Sequence, residues 1–191
     1  MEKHAFALIL FLAIGLVTRS TAQITNLGVI PVNLLFSETL GVTQIDCYIQ
    51  NTIYGQGEDS YEIADSSITT QSLSRFGYLA MIDDVVTEGP DPTSNVIGRA
   101  QGLFGSADVN TPGFFLDFNI YFTSGSYNGS TLHISGRDSP SMCNRELSVT
   151  GGTQEFRLAM GFVTVSTISG NSSSATDTFQ FNIRVFQPIL S

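Results

Sequence analysis

Three residue types are scarce in this 191-residue chain, and each scarcity removes a class of chemistry. Lysine stops at Lys3, histidine beyond His4 is His133 alone, and the two cysteines are Cys47 and Cys143. One histidine and two distant cysteines cannot assemble a His-rich or Cys-rich copper or zinc centre. No Gly-x-Ser-x-Gly elbow occurs, so an α/β-hydrolase nucleophile has no place here. Gly55-Gln-Gly57 begins a phosphate-loop pattern, but the third glycine is missing and no helix follows. The sequence therefore carries no oxidant of its own, and neither a cofactor nor a metal is expected.

Long apolar runs are equally rare. The single one, residues 5–17, follows the short Glu2-Lys3-His4 segment and precedes Ser20-Thr21-Ala22, a small-residue cleavage pattern. Residues 1–22 read as a cleaved signal peptide, and residues 23–191 as one domain. A secreted, extracellular product is expected. Without Glu2, Lys3 and Arg19 the chain keeps 16 acidic against 6 basic residues, a net charge of −10. Such a surface repels nucleic acid and anionic membranes, so neutral or cationic ligands are favoured. Asn128-Gly-Ser and Asn171-Ser-Ser are glycosylation sequons. In an oxidising compartment the cysteines allow one disulfide or two free thiols.

What is abundant is period-two alternation between turn residues. Phe114, Leu116, Phe118, Ile120 and Phe122 share one face of a strand; Phe115, Asp117, Asn119 and Tyr121 share the other. Residues 179–185 alternate as well. Further strands are expected at 33–38, 43–53, 76–86, 96–106, 130–135 and 155–168, with 54–75 a long loop or weak strand. Gly89-Pro-Asp-Pro, Asn110-Thr-Pro-Gly, Ser124-Gly-Ser, Thr150-Gly-Gly-Thr and Ser169-Gly-Asn supply turns. About eight short-linked strands point to an all-β, antiparallel β-barrel that leaves no open edge, with a two-sheet sandwich as the alternative. An eight-stranded barrel is filled by side chains or holds one small ligand. His133 falls mid-strand, where a satisfied packing role outweighs that of a base.

Several ordered blocks resemble the plant dirigent proteins: IDDVVTEGPDPTS at 82–94, IGRAQGLF at 97–104, YNGSTL at 127–132 and RELSVTGGTQEFRLA at 145–159. The likeness runs from about Val32 to Phe186. It implies an eight-stranded antiparallel barrel similar to the allene oxide cyclases, assembled as a homotrimer. It also implies a role in phenylpropanoid metabolism: imparting stereoselectivity on the coupling of phenoxy radicals, as in lignan biosynthesis from coniferyl alcohol. A separate oxidase, a laccase or peroxidase, would supply the radicals in the apoplast. The alternatives are a relative that closes a ring through a quinone methide, as in pterocarpan formation, and a non-catalytic phenolic-binding protein of plant defence or the cell wall.

The resemblance also places site residues. Asp138 and Arg145 match the family's acid and arginine at the same spacing of seven. An acid in an apolar barrel can share or return a proton while a guanidinium holds it in place or donates to a phenolate; read without the resemblance, the pair is a turn aspartate in a surface salt bridge. Asn51 stands in Tyr48-Ile-Gln-Asn where the family usually has an acid, and an amide cannot exchange a proton. Phe104 replaces a frequent tyrosine. Ile49, Asn51 and Phe104 are the expected substrate-binding residues. Asp83 and Asp84 point to opposite faces of a strand, so at most one meets the cavity. If Asn51 faces the lumen, Cys47 does too, and Cys143 lies near Arg145; a Cys47–Cys143 bridge is the corresponding expectation.

Overall fold

The computed structural model describes residues 40–143, 145–170 and 176–188. The expected leader, the short strand at 33–38 and Asn171 lie outside these residues. In chain order the strands are β1 Leu40–Thr52, β2 Ser60–Ala64, β3 Leu79–Thr87, β4 Val96–Ser106, β5 Phe114–Phe122, β6 Thr131–Asp138, β7 Arg145–Gly152, β8 Met160–Ser169 and β9 Thr176–Pro188. All pairings are antiparallel.

The sheet runs β1-β9-β8-β7-β6-β5-β4-β3 and closes through β1–β3, which makes an eight-stranded barrel. The closure is short: Tyr48, Ile49 and Gln50 pair with Thr87, Val86 and Val85. The first half of β3 instead pairs with β2, from Leu79 to Ile82. The ninth strand is thus an extra flap on the seam, and it falls in the stretch expected to be a loop or weak strand.

Closure gives the period-two pattern its meaning, because every second residue must enter the lumen. Ile45, Cys47 and Ile49 of β1, Phe118, Ile120 and Phe122 of β5, and Phe181, Ile183 and Val185 of β9 are all buried. Their neighbours Asp46 and Tyr121 are exposed. His133 faces outward on β6, where its Nδ1 lies 2.6 Å from Thr150 Oγ1 and its Nε2 3.3 Å from Asp117.

Some strand limits differ from those expected, for local reasons. β3 starts at Leu79 rather than 76 because Arg75 (φ 55°) and Gly77 (φ 89°) take left-handed turns. β8 starts at Met160 rather than 155, since Gln154–Phe156 forms a 3₁₀ turn and Gln154 and Leu158 also have positive φ. β7 was absent from the expected strands; its two glycines, read as a turn, end a strand instead.

Among the described residues, one end of the barrel is filled by aromatic rings. Phe122 ends β5, and Tyr127 and Phe156 enter from the two 3₁₀ turns beside it. Their ring centroids lie 4.9 to 5.6 Å apart, a mutually tilted aromatic plug. Outside the seam, Gln50 donates to Thr87 Oγ1 (3.1 Å) and accepts from Thr178 Oγ1 (2.8 Å), tying β1 to both neighbours. At the other end, Phe114, Leu116 and Phe118 of the same β5 line a hollow. Removing a plug ring should therefore cost more than removing a cavity ring: Phe156→Ala is expected to destabilise by about 3–5 kcal/mol and Phe104→Ala by clearly less, read by denaturant unfolding.

Candidate functional site

The hollow has a volume of about 580 Å³. Its wall is mainly apolar: Ile49, Ile82, Leu116, Phe118, Phe179 and Phe181. Tyr78, Phe104 and Phe114 stack along one side, with successive centroids 6.1 and 4.8 Å apart. The three expected substrate-binding residues, Ile49, Asn51 and Phe104, all reach this cavity, and so do Asp138 and Arg145. Phe104 brings no hydroxyl, but the adjacent Tyr78 does, and burial raises the pKa of that phenol above its ordinary value. Arg75 lies 4.3 Å over the Tyr78 ring.

Asp138 ends β6 and Arg145 begins β7, so the turn between them folds both onto the lumen face. Arg145 Nε donates to Asp138 Oδ1 at 2.6 Å and its Nη2 to Oδ2 at 2.5 Å, a bidentate fork. Arg145 Nη1 donates to Thr167 Oγ1 at 2.7 Å, and its guanidinium carbon lies 5.6 Å from the Phe179 ring centre. The relative exposures of Asp138 and Arg145 are 5% and 9%. The alternative of a surface salt bridge is excluded by these values.

On the far wall a second polar group gathers. In the ring of eight strands β1 stands four places from β6, and β3 four places from β7. With strands about 4.8 Å apart and tilted, the backbones on opposite sides are about 15 Å apart. Asn51 Nδ2 donates to Asp84 Oδ1 at 3.0 Å. The Asp59 carboxyl is near enough for its charge to act on Asp84. Asp59 Oδ1 accepts from the Thr52 amide at 2.6 Å, and the Asp59 carbonyl accepts from the Asp83 amide at 2.9 Å. Asp59 thereby straddles the β1–β3 seam.

Burial pushes the Asp84 carboxyl well above the usual carboxylate range; the Asn51 hydrogen bond opposes this, and the Asp59 charge adds to it. Asp59 is raised as well, again by burial and against the Thr52 hydrogen bond. Asp83 takes the opposite course. It faces out, bonds Arg99 Nε at 2.9 Å, and its pKa is lowered by that partner. Alternation limited the cavity to one of these two acids, and the one inside is Asp84. It shares parity with the lumen residue Ile82, which makes it readable from the sequence. Asp59 sits in a polar loop without period and gave no such signal.

The Cys47–Cys143 bridge does not form; both cysteines are free. Cys47 lies four residues deeper than Asn51 on β1, about 13 Å along the strand, whereas Cys143 is exposed in the β6–β7 turn. Parity put them on compatible faces but could not show depth. Burial, with a smaller contribution from Asp46, pushes the Cys47 thiol up to about 12, so it is an inert packing group. Asn128 follows the turn after β5 and is exposed.

Comparison with known proteins agrees with this architecture. A family model described as Dirigent-like protein matches residues 42–186. Dirigent protein 21 of Arabidopsis thaliana is 33% identical over 145 residues, which covers 76% of this chain and 77% of that one. Pterocarpan synthase 1 of Glycyrrhiza echinata is 28% identical over 177 residues, 92% of each chain. The solved structure of the pterocarpan synthase dirigent protein PsPTS1 superposes with a TM-score of 0.73 at 28% identity, covering 81% of this chain and all of that one (100%). With strand order, blocks of sequence and matched span in agreement, this chain belongs to the dirigent family.

Proposed function

We propose that the barrel binds phenoxy radicals produced by a separate oxidase and imparts stereoselectivity on their coupling, as in formation of an optically active lignan from coniferyl alcohol. The observation that carries this reading is the pairing of an apolar, aromatic-walled cavity with polar groups on opposite sides. A volume of about 580 Å³ is in the range of small-molecule sites. Aryl rings pack against the phenylalanines, and their oxygens meet the Asp138–Arg145 fork on one wall and the Asn51–Asp84 bond on the other. Two polar anchors on a chiral wall hold a flat molecule with one face forward, so coupling on the other face is disfavoured. Lumen side chains supply hydrogen bonding and charge; the electron is removed elsewhere. We extend the proposal to secretion into the apoplast, glycosylation at Asn128 and Asn171, and a homotrimer.

A second reading, ring closure through a quinone methide, is favoured by one observation. Asp138 accepts hydrogen bonds on one wall, while on the other burial raises the pKa of the Asp84 carboxyl. Ring closure on a quinone methide needs both a base and an acid. The likeness to Pterocarpan synthase 1 over 92% of each chain supports it. A purely binding role in defence or the wall is the outcome if neither activity is found.

Coniferyl alcohol with a one-electron oxidant and stoichiometric protein should yield pinoresinol with a clear enantiomeric excess on chiral chromatography; a racemic product overturns the first reading. Conversion of an isoflavanol without oxidant would establish the second. Asp138→Asn should abolish either activity while costing about 3 kcal/mol of stability, because Arg145 stays buried without its anion. Thermal unfolding verifies that the variant is folded, and unchanged product chirality would make Asp138 a structural residue only.

A further inference from the structure

Three carboxyl groups line the cavity, and two of them are already engaged. Asp138 gives both oxygens to the Arg145 fork, and Asp84, 4% exposed, accepts from Asn51. The third, Asp177, lies near the start of β9 and shares alternation with the cavity residues Phe179 and Phe181. Among the described residues no hydrogen bond or ion pair engages its carboxyl. Burial raises its pKa, and no partner opposes the shift. A carboxylate that has lost part of its water and gained no donor is an acceptor with room for one.

The fold holds that carboxyl in place. In the β1–β9 register Asp177 is the partner of Asn51, so the two side chains leave one face side by side. Asn51 nonetheless turns its N–H to Asp84. Two residues along β9, Phe179 pairs with Thr167, whose hydroxyl accepts from Arg145. Asp177 thus lies on the arc of wall that joins the two polar groups. β5, whose Phe114 belongs to the aromatic side, stands four places away in the ring of eight strands. Gly170 also lines the cavity and has a φ of 149°. A Cβ there would overlap Asp177 Oδ1, so a glycine leaves the carboxyl its space.

We propose that Asp177 is a specificity residue for a ligand alcohol: its carboxylate accepts the hydrogen bond of a hydroxyl whose aryl ring lies against the phenylalanines. This rests on the reading of the cavity as a phenolic-binding site, and it narrows the ligand class. A phenoxy radical has lost its phenolic hydrogen, so its ring oxygen can only accept, which suits the N–H groups of Arg145 and Asn51. In the coniferyl alcohol radical the side-chain hydroxyl alone still has a hydrogen to give. An aldehyde in its place brings a second acceptor, and a carboxylate brings like charge, so Asp177 disfavours both. Donor and acceptor ends of the ligand are thereby told apart, an orientation that the phenylalanine wall cannot set.

Titration calorimetry on the whole protein tests this with coniferyl alcohol, coniferaldehyde and ferulate, which share one ring and differ at the side-chain oxygen. The ratio of alcohol to aldehyde affinity should fall about tenfold in Asp177→Leu, which has no acceptor. Gly170→Ala keeps the charge but displaces it, and should lower the same ratio. Asp177→Asn, the variant closest in shape, should bind ferulate about threefold more tightly than the wild type does. An unchanged ratio in a folded Asp177→Leu overturns the proposal. Should that variant not fold, unchanged ferulate affinity in Asp177→Asn overturns it instead. Racemic coupling with a ratio that falls in Asp177→Leu would remove the stereodirecting reading and leave the role of Asp177 standing. Selective coupling with an unchanged ratio would do the reverse, and failure of the wild type to bind all three compounds overturns both.

Discussion

Everything in this molecule hangs on a short antiparallel closure, three residue pairs between β1 and β3. A sheet that closes has an inside, and the inside must accept every second residue of eight strands. Were the seam open, Asn51 and Asp84 would line an edge wetted by solvent. Gln50 reinforces the contact from outside by bonding Thr87 and Thr178, and Asp59 bonds both edge strands from the flap side. A seam this short depends on such side-chain ties, because three pairs of backbone residues alone offer few ladder bonds.

Closure also divides the interior. At one end the rings of Phe122, Tyr127 and Phe156 fill the lumen, and the buried aliphatic cluster continues from them. That end supplies stability. At the other the side chains stop short of meeting, and polar groups appear where a stability argument alone would place leucine. A buried arginine–aspartate pair is expensive to desolvate, and apolar residues of the same volume often do as well or better for stability. The Asp138–Arg145 fork, with Thr167 taking one further N–H, is satisfied in geometry yet costly in place. Across the cavity the Asp84 carboxyl is likewise held against a burial penalty. Groups held in such surroundings concentrate where chemistry or recognition occurs.

Much of the site could be read before folding. Alternation placed Phe114, Leu116 and Phe118 on one face, and the structure turns that face into the cavity wall. The resemblance supplied Asp138, Arg145, Asn51, Phe104 and Ile49, and all five meet the same hollow. Alternation also required Asp83 and Asp84 to part company. Turn composition misled on β7, where Thr150, Gly151 and Gly152 look like a turn, yet Gly151 and Gly152 pair with β6 and Thr150 falls at the register shift. Local composition was outvoted there by neighbouring strands on both sides. Alternation failed for Cys47 and Cys143, whose faces agree while their depths do not.

The amino-acid order by itself determined most of the strands and the face on which their side chains lie, because a pleated strand alternates with a period of two whatever its neighbours. Tertiary structure decided who meets whom. Asp59 and Asp84 are 25 positions apart, Asn51 and Asp138 are 87 apart, and no periodicity reports distance across a lumen. The Asn51–Asp84 bond on one wall and the guanidinium fork on the other exist only because ring closure and strand register bring those positions together. The raised pKa of Asp84 follows from the water that closure excludes, a property of the assembled barrel rather than of any segment.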